Sequence, residues 1–296
     1  MQFGVNLPNL GGAGDPRGLA ELAREAEHHG WDGVFVWDAL CSGHWDGVYQ
    51  NEPDKRATHD PWIGLAAIAL ATTRVRIGPL LTPLSRRRPW KVARETVTLD
   101  HLSQGRLVLP VGLGYLGDGG MSKVGEPTDR RTRAQKLDEG LAILDGLWSG
   151  RPFAFEGIHY RLDEMTFWPP PVQSPRIPIW VVGAWPRPAS MRRALRCDGI
   201  LPVLMSPDGS QADMAPDDVR ALRAHVAEQC GGLAGFDIVL EGSTPGEQPA
   251  EARATVRAYA EAGATWWIED VWQNLEGPGD GVERMRARIR QGPPRG

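Results

Sequence analysis

A strand-sized apolar run followed by an amphipathic helix recurs from one end of the chain to the other, and eight such pairs can be counted. That alternation is the signature of βαβ units around a parallel sheet. Gln2–Leu7 reads as the first strand, and residues 15–29 follow as a helix with Leu19, Leu22, Ala23 and Ala26 on one face. Asp15-Pro16 supplies its cap and first position, as Asp60-Pro61 does for the next helix. The remaining strands are read at 33–37, 75–81, 106–112, 179–182, 199–204, 236–241 and 265–271. Their helices are read at 61–72, 89–102, 133–148, 188–196, 216–229, 250–262 and 282–290. Residues 149–178 break the rhythm: FAFEGIHYRL alternates like a hairpin, and WPPPVQSPRIP is too rich in proline for a helix or a central strand. The expectation is an α/β fold, a single (β/α)8 TIM barrel over 1–296, with 149–178 inserted between repeats four and five. The closing QGPPRG is expected to fray.

An open doubly wound sheet shares the alternation, but its dinucleotide fingerprint is missing. Gly11, Gly12 and Gly14 precede a helix without the G-x-G-x-x-G spacing. In a barrel, chemistry sits at the C-terminal strand ends, so the residues of interest are those closing each apolar run. Asp38 closes the second and opens a polar stretch, 38–60, long enough to rim a pocket. Gly78-Pro79-Leu80-Leu81 closes the third and Gly112-Leu113-Gly114 the fourth, where a missing Cβ lets backbone approach a ligand or simply makes a tight turn. Gly183-Ala184-Trp185 follows the fifth, with Arg187 beside it as a possible partner for phosphate, whereas Arg192 and Arg193 read as solvated helix residues.

The net charge of −4 offers no basic field for nucleic acid or an anionic membrane, which leaves a small-molecule substrate as the expected partner. The start, MQFGVNLPNL, lacks a basic leader, and no window reaches the ~18 apolar residues of a membrane span, so a cytoplasmic location is expected. Cys41, Cys197 and Cys230 are widely spaced and read as free thiols. No HExxH, P-loop or G-x-S-x-G elbow is present, so no metal site, kinase or hydrolase is expected. Among twelve tryptophans, Trp45, Trp62, Trp185 and the Trp266-Trp267 pair fall near strand ends or loops, where some would wall a pocket. The basic run from Ser85 to Lys91 has two readings of equal weight: an anion site at a helix N-terminus, or ion pairs to groups such as Glu95 or Asp100. Asp100 and His101 fall late in an outer helix and make an improbable catalytic dyad.

Five segments in order, FGVNLP, DGVFVWD, the long TTRVRIGPLLTPLSRRRPWKVARETVTLDHLSQGRLVLPVGLG, RAQKLDEGLAILDGLW and PPPVQSPRIPIWVVGAWPRPASMRRALRCDGI, resemble the bacterial-luciferase-like superfamily of flavin- and deazaflavin-dependent oxidoreductases. The resemblance covers nearly the whole chain. It implies a barrel that binds reduced FMN or coenzyme F-420 (F420, a 5-deazaflavin) and either transfers hydride to an organic acceptor or oxygenates one. It places Pro79, Leu80, Gly112, Leu113, Gly114, Gly183, Ala184, Trp185 and Arg187 at the cofactor. A non-prolyl cis peptide is common in the family at the third strand end. The bond singled out here is Pro79-Leu80, with an ordinary bulge as the alternative. Homodimerisation is also implied by the resemblance.

Two departures stand at the mouth. The family commonly follows its strand-two acid with histidine, whereas Ala39 follows Asp38, leaving His44 or His59 as replacements if the loop folds back. Tyr115 stands where the deazaflavin branch often has glutamate, and a phenol with a reference pKa of ~10 is a poor base at neutral pH. Asp38, Tyr115 and His44 are the catalytic candidates. The loss of the usual pair keeps open a cofactor-free pseudoenzyme or scaffold, while a barrel lyase or isomerase is disfavoured because the sequence shows no acidic or histidine cluster at the strand ends.

Overall fold

The structure is a computed structural model that describes residues 1–41, 57–115, 117–206, 208, 210–275 and 280–295. Its barrel strands are β1 (Gln2–Leu7), β2 (Gly33–Val36), β3 (Arg76–Pro79), β4 (Leu109–Gly112), β5 (Ile179–Trp185), β6 (Gly199–Met205), β7 (Asp237–Gly242) and β8 (Trp266–Glu269). They pair in parallel in the order β3-β2-β1-β8-β7-β6-β5-β4. The cylinder closes where Ile77 bridges Leu107 and the Val108 N–H donates to the Ile77 carbonyl at 2.9 Å. The short strand Thr82–Pro83 extends this seam by pairing with Val111 and Gly112. This is the expected TIM barrel.

Helices α1 (Pro16–His28), α2 (Pro61–Ala71), α3 (Pro89–Leu102), α4 (Arg130–Trp148), α5 (Pro188–Ala194), α6 (Pro216–Cys230), α7 (Pro249–Ala262) and α8 (Gly281–Arg290) follow the strands in turn. Six of them begin with proline, whose fixed φ suits the first helical position and whose missing N–H costs nothing there. Asp15 and Asp60 cap α1 and α2 as the sequence suggests. Helix α4 starts earlier than its apolar pattern implies because the Asp129 carboxylate accepts the Thr132 N–H at 2.8 Å. Strand β5 runs past Val182 to Trp185, held residue by residue against β6.

Side chains alternate between two apolar layers, as the two-residue period of a strand requires. The outer layer joins strands to helices, with Val5, Leu7, Val34, Ile77, Val111, Val181 and Ile238 among its members. The inner layer comprises Phe35, Leu80, Val108, Trp180, Leu201, Val239, Trp266 and Ile268. Three of its rings form one cluster, with centroids 5.5 Å apart for Phe35–Trp180, 6.0 Å for Phe35–Trp266 and 5.4 Å for Trp180–Trp266. The Trp180 indole N–H is satisfied by Asp237 at 3.1 Å. Such rings fill the barrel interior.

This arrangement corrects the expectation that the Trp266-Trp267 pair walls a pocket. Trp266 belongs to the barrel floor, and Trp267 faces outward against Tyr259, 5.4 Å away, with its indole N–H on Glu269. Trp62, buried below the Arg87 guanidinium, does line a recess of about 260 Å³, shared with Ala66, Lys91 and Glu95. Trp45 lies outside the described residues.

Between α4 and β5, Phe153–Glu156 and Arg161–Met165 form an antiparallel hairpin. Its turn is held by Glu139, whose carboxylate accepts the Ile158, His159 and Tyr160 N–H groups. The proline-rich return is anchored by buried Asp100, which accepts from the Val172 N–H at 2.8 Å and the Gln173 side-chain amide at 2.7 Å. The chain end is tied rather than frayed, because Arg295 pairs with Asp32 at 2.6 Å.

Candidate functional site

The strand ends converge on a mouth with one apolar and one acidic side. The apolar side is built on the segment after β3. The cis peptide there joins Leu80 and Leu81, one residue beyond the Pro79-Leu80 bond singled out from the sequence. Pro79 is still paired with Val36, and the Leu80 N–H still donates to the Val36 carbonyl at 2.7 Å, so the strand's hydrogen bonding ends only after Leu80. Gly112 faces the same space: a Cβ there would lie 3.0 Å from Leu81 Cδ1 and 3.2 Å from Val182 Cβ. Leu80, Leu81, Gly112, Val182 and, by strand alternation, Ala184 thus line one wall.

Other cofactor candidates from the sequence sit differently. Gly114 has φ +76° and its missing Cβ would lie 3.0 Å from Pro83, so the position serves the turn as well as any ligand. Leu113 packs against the outer layer. Gly183 faces outward, where a Cβ would strike Ile200, and the Trp185 ring lies 5.3 Å from the His225 ring on α6. Of Gly183-Ala184-Trp185, therefore, only Ala184 points inward. Arg187 is exposed at the head of α5.

Asp38 is the most constrained acid in the mouth region. Its side chain is 1% exposed and takes Arg86 Nη2 at 2.9 Å, Arg87 Nη2 at 2.6 Å and the Thr82 hydroxyl at 2.9 Å. Both oxygens are committed, which leaves a structural clamp between the second and third strand ends. The basic run resolves the same way: Arg86 also pairs with Asp118 at 3.1 Å, Lys91 pairs with Glu95 at 2.6 Å, and Arg88 stands over the Trp90 ring. Ion pairing is the reading the structure favours, with Asp38 as the principal partner and Asp100 occupied elsewhere. Tyr115 is 60% exposed, and its backbone carbonyl accepts Arg133 Nη1 at 2.9 Å. His59 is held through its backbone N–H to the Asn9 carbonyl, and His44 lies outside the described residues.

Opposite the apolar wall lies a carboxylate pair that reading the sequence missed. Asn6, near the end of β1, sends its amide N–H groups to Glu241 Oε2 at 3.4 Å and Asp270 Oδ1 at 3.2 Å. The Trp272 indole N–H donates to the same Asp270 oxygen at 2.9 Å, and the Trp37 ring meets Trp272 at 5.1 Å. Burial, then the charge of Asp270, pushes the Glu241 carboxyl up to about 8. Burial likewise raises Asp270 to about 6, against the pull of its hydrogen bonds to Trp272 and Asn6. Glu241 is exposed to solvent. The barrel atoms packed beneath its carboxyl still raise its pKa, and solvent contact weakens that effect. The pair titrates as a unit.

The strand ends thus do carry an acidic cluster, contrary to the sequence reading. The available signal was the position of both acids at the ends of consecutive strands, VLEG and WIED, where barrels place their chemistry. Among the described residues no group of three or more His, Cys, Asp or Glu side chains could hold a metal ion. Other recesses lie away from this mouth; one of about 560 Å³ separates α7 from the C-terminal segment and is lined by Phe3, Arg253 and Arg257.

A closed barrel of eight parallel strands with helices outside it is a TIM barrel. The chain belongs to the luciferase-like monooxygenase family, whose pattern it matches over residues 1–292. It is 34% identical over 188 residues to an F420-dependent glucose-6-phosphate dehydrogenase of Nakamurella multipartita, a match covering 63% of this chain and 52% of that protein. A protein of the same name from Beutenbergia cavernae is 28% identical, with 94% of this chain and 85% of that protein covered. The chain therefore spans about half the length of the former. Among solved structures, a monooxygenase of Streptomyces bottropensis superposes with TM-score 0.75 at 21% identity, covering 98% of this chain and 97% of that one. An F420-dependent secondary alcohol dehydrogenase bound to an F420-acetone adduct superposes with TM-score 0.71 at 18% identity, covering 98% of each chain. At those identities the structures speak for the fold. No described helix is long and apolar enough to cross a membrane.

Proposed function

We propose that this chain is an oxidoreductase that binds a reduced deazaflavin or flavin at the C-terminal mouth of its barrel and acts on a small organic substrate there. The observation that carries the reading is the apolar wall of Leu80, Leu81, Gly112 and Val182 at the ends of strands three to five, across the barrel from the acids at the ends of strands seven and eight. A ring with apolar faces and hydrogen-bonding edges fits such a space. Coenzyme F420 is the favoured cofactor, because relatives from two genera are named for it; FMN is the alternative. When bound, either supplies reducing equivalents, and the protein supplies position, exclusion of water and proton control.

The residues take these roles. Leu80, Leu81, Gly112, Val182 and Ala184 line one ring face, and Arg187, exposed beside the fifth strand end, reaches a phosphate of the cofactor tail. Asp38 holds the second and third strand ends together through Arg86 and Arg87. Proton transfer falls to Glu241 and Asp270, whose raised pKa values place a protonated carboxyl in the mouth at neutral pH. The same pair favours a second reading, a barrel isomerase or lyase that moves protons without redox chemistry.

Titration of the protein with reduced F420 and with reduced FMN, followed by absorbance and fluorescence, separates these readings. Tight binding of one of the two is expected, weakened by Gly112→Ala. Binding of neither overturns the redox reading and leaves the isomerase or the cofactor-free scaffold. We further propose a homodimer that buries the outer face of α2, where Ile63 and Leu70 are 63% and 74% exposed.

A further inference from the structure

We propose that the recess between α7 and the C-terminal segment is a binding site for an organic anion with an apolar body, separate from the barrel mouth. The proposal does not depend on the reaction carried out at the mouth.

The recess measures about 560 Å³, and its lining includes Phe3, Ala254, Val256, Arg253, Arg257 and Arg295. Phe3 stands at the N-terminal end of β1, and Arg295 reaches back to the Gly30 carbonyl ahead of β2 at 2.9 Å. The site therefore lies toward the N-terminal strand ends, whereas a barrel conducts its chemistry at the C-terminal ones. Ligand pockets commonly measure about 300–1,000 Å³, so the space suits a small organic molecule.

The lining divides by chemistry. Phe3 and Val256 are 5% and 3% exposed and make an apolar floor, and Ala254 leaves room above it where a longer side chain would fill the space. Arg253 and Arg257 stand four residues apart on α7, on one face of the helix. Arg295 joins them from the C-terminal segment. No acidic residue lines the recess. The chain as a whole carries a net charge of −4, so this concentration of cations is local.

None of the three guanidinium groups is fully spent. Arg295 is tied through Nη2, which donates to Gly30 and to Asp32 at 2.6 Å, and its guanidinium stands over the Phe3 ring at 5.4 Å. Asp32 is shared with Arg74 at 3.9 Å. Arg257 meets Glu261 only at 3.9 Å, with side chains 76% and 67% exposed, a contact that contributes little. Arg253 makes no hydrogen bond or ion pair with any described residue. Arginines on an exposed helix are ordinarily solvated. These differ in bordering a recess with an apolar floor and no acid. A guanidinium fork pairs with carboxylate or phosphate through parallel N–H bonds, which suits an anionic head. The floor then covers the apolar body of the same molecule.

Four probes test the proposal on the full chain by ligand-observed NMR at neutral pH: naphthoate, naphthyl phosphate, naphthylmethylammonium and inorganic phosphate. Both naphthyl anions are expected to bind at least about tenfold more tightly than the ammonium probe, and naphthyl phosphate at least about tenfold more tightly than inorganic phosphate. Arg253→Glu with Arg257→Glu should abolish anion binding with circular dichroism unchanged, whereas Arg187→Gln at the mouth should leave it intact. If the double reversal does not fold, Arg253→Gln with Arg257→Gln carries the same comparison. Equal binding of the ammonium probe, inorganic phosphate matching naphthyl phosphate, no anion binding, or anion binding that survives loss of both α7 arginines would each overturn the site. Titration of the double variant with reduced F420 and reduced FMN should match that of the unmodified protein, so failure of this site and failure of the redox reading are read separately.

Discussion

Arg87 grips Asp38 at two points, Nε to Oδ2 at 2.8 Å and Nη2 to Oδ1 at 2.6 Å, so an acid at a barrel strand end is already spent on structure. Arg86 completes the clamp from the other side with a side chain 5% exposed. Asp38→Ala would leave the Arg87 guanidinium without its anion and Arg86 with Asp118 alone, an expected loss of about 3 kcal/mol. Thermal unfolding should show the loss at once, and Asp38→Asn, which keeps part of the hydrogen bonding, should lose less. An Asp38→Asn protein with unaltered melting temperature but no turnover would return Asp38 to the chemistry.

Stability should also depend on pH through the acidic pair. The Glu241 carboxyl rises from 4.5 to about 8, by burial first and the charge of Asp270 second. The folded protein therefore holds this proton more tightly than the unfolded chain. The sign follows: the contribution is complete below about 4.5 and is lost as the pH climbs through about 8. Asp270 adds the same trend between 3.8 and about 6. Melting temperatures of Glu241→Gln measured across this range should decline less than those of the unmodified protein, and at alkaline pH the variant should be the more stable of the two. Parallel curves would remove Glu241 as the titrating group.

Gly112→Ala and Gly114→Val probe the apolar wall unequally. At Gly114, φ +76° and Pro83 at 3.0 Å mean that valine would strain the turn itself. Lost cofactor binding in that variant would not separate a ring contact from a distorted loop. At Gly112 the nearest atoms to the added methyl belong to the side chains of Leu81 and Val182, at 3.0–3.2 Å. Overpacking there should cost about 1–2 kcal/mol in stability and weaken cofactor binding about tenfold or more. Unchanged affinity in Gly112→Ala would place the ring elsewhere.

Helix α2 is apolar on every side, PWIGLAAIALA, yet only one face is covered by the barrel. Ile63, Leu70 and, on α3, Leu102 are 63%, 74% and 39% exposed. Light scattering should report a dimer, and Ile63→Glu with Leu70→Glu should shift it to monomer while circular dichroism stays unchanged. A monomeric unmodified protein would remove the dimer from the account.

The barrel was legible in the chain because its cause is local. Apolar runs of strand length and amphipathic helices behind Asp-Pro caps state themselves residue by residue, as at Asp15-Pro16 and Asp60-Pro61. Gly112 was legible as the end of the fourth strand for the same reason. Which side chain faces the axis was not. Along a strand the side chains alternate, and a register error of one residue exchanges the two faces. Trp266 and Trp267, Ala184 and Trp185 were therefore indistinguishable until pairing with neighbouring strands was known.

The acids show where the division falls. Asp38, Glu241 and Asp270 are all carboxylates at strand ends, and composition treats them alike. Their fates depend on residues far away in the chain: Asp38 is neutralised by Arg86 and Arg87, 48 and 49 positions on, whereas Glu241 meets Asn6 across 235 positions. The periodicity of the chain determined the scaffold by itself, because each repeat carries its own signal. Only closure of the barrel decided which carboxylates are clamped and which are left facing the mouth, because ionisation is set by neighbours in space.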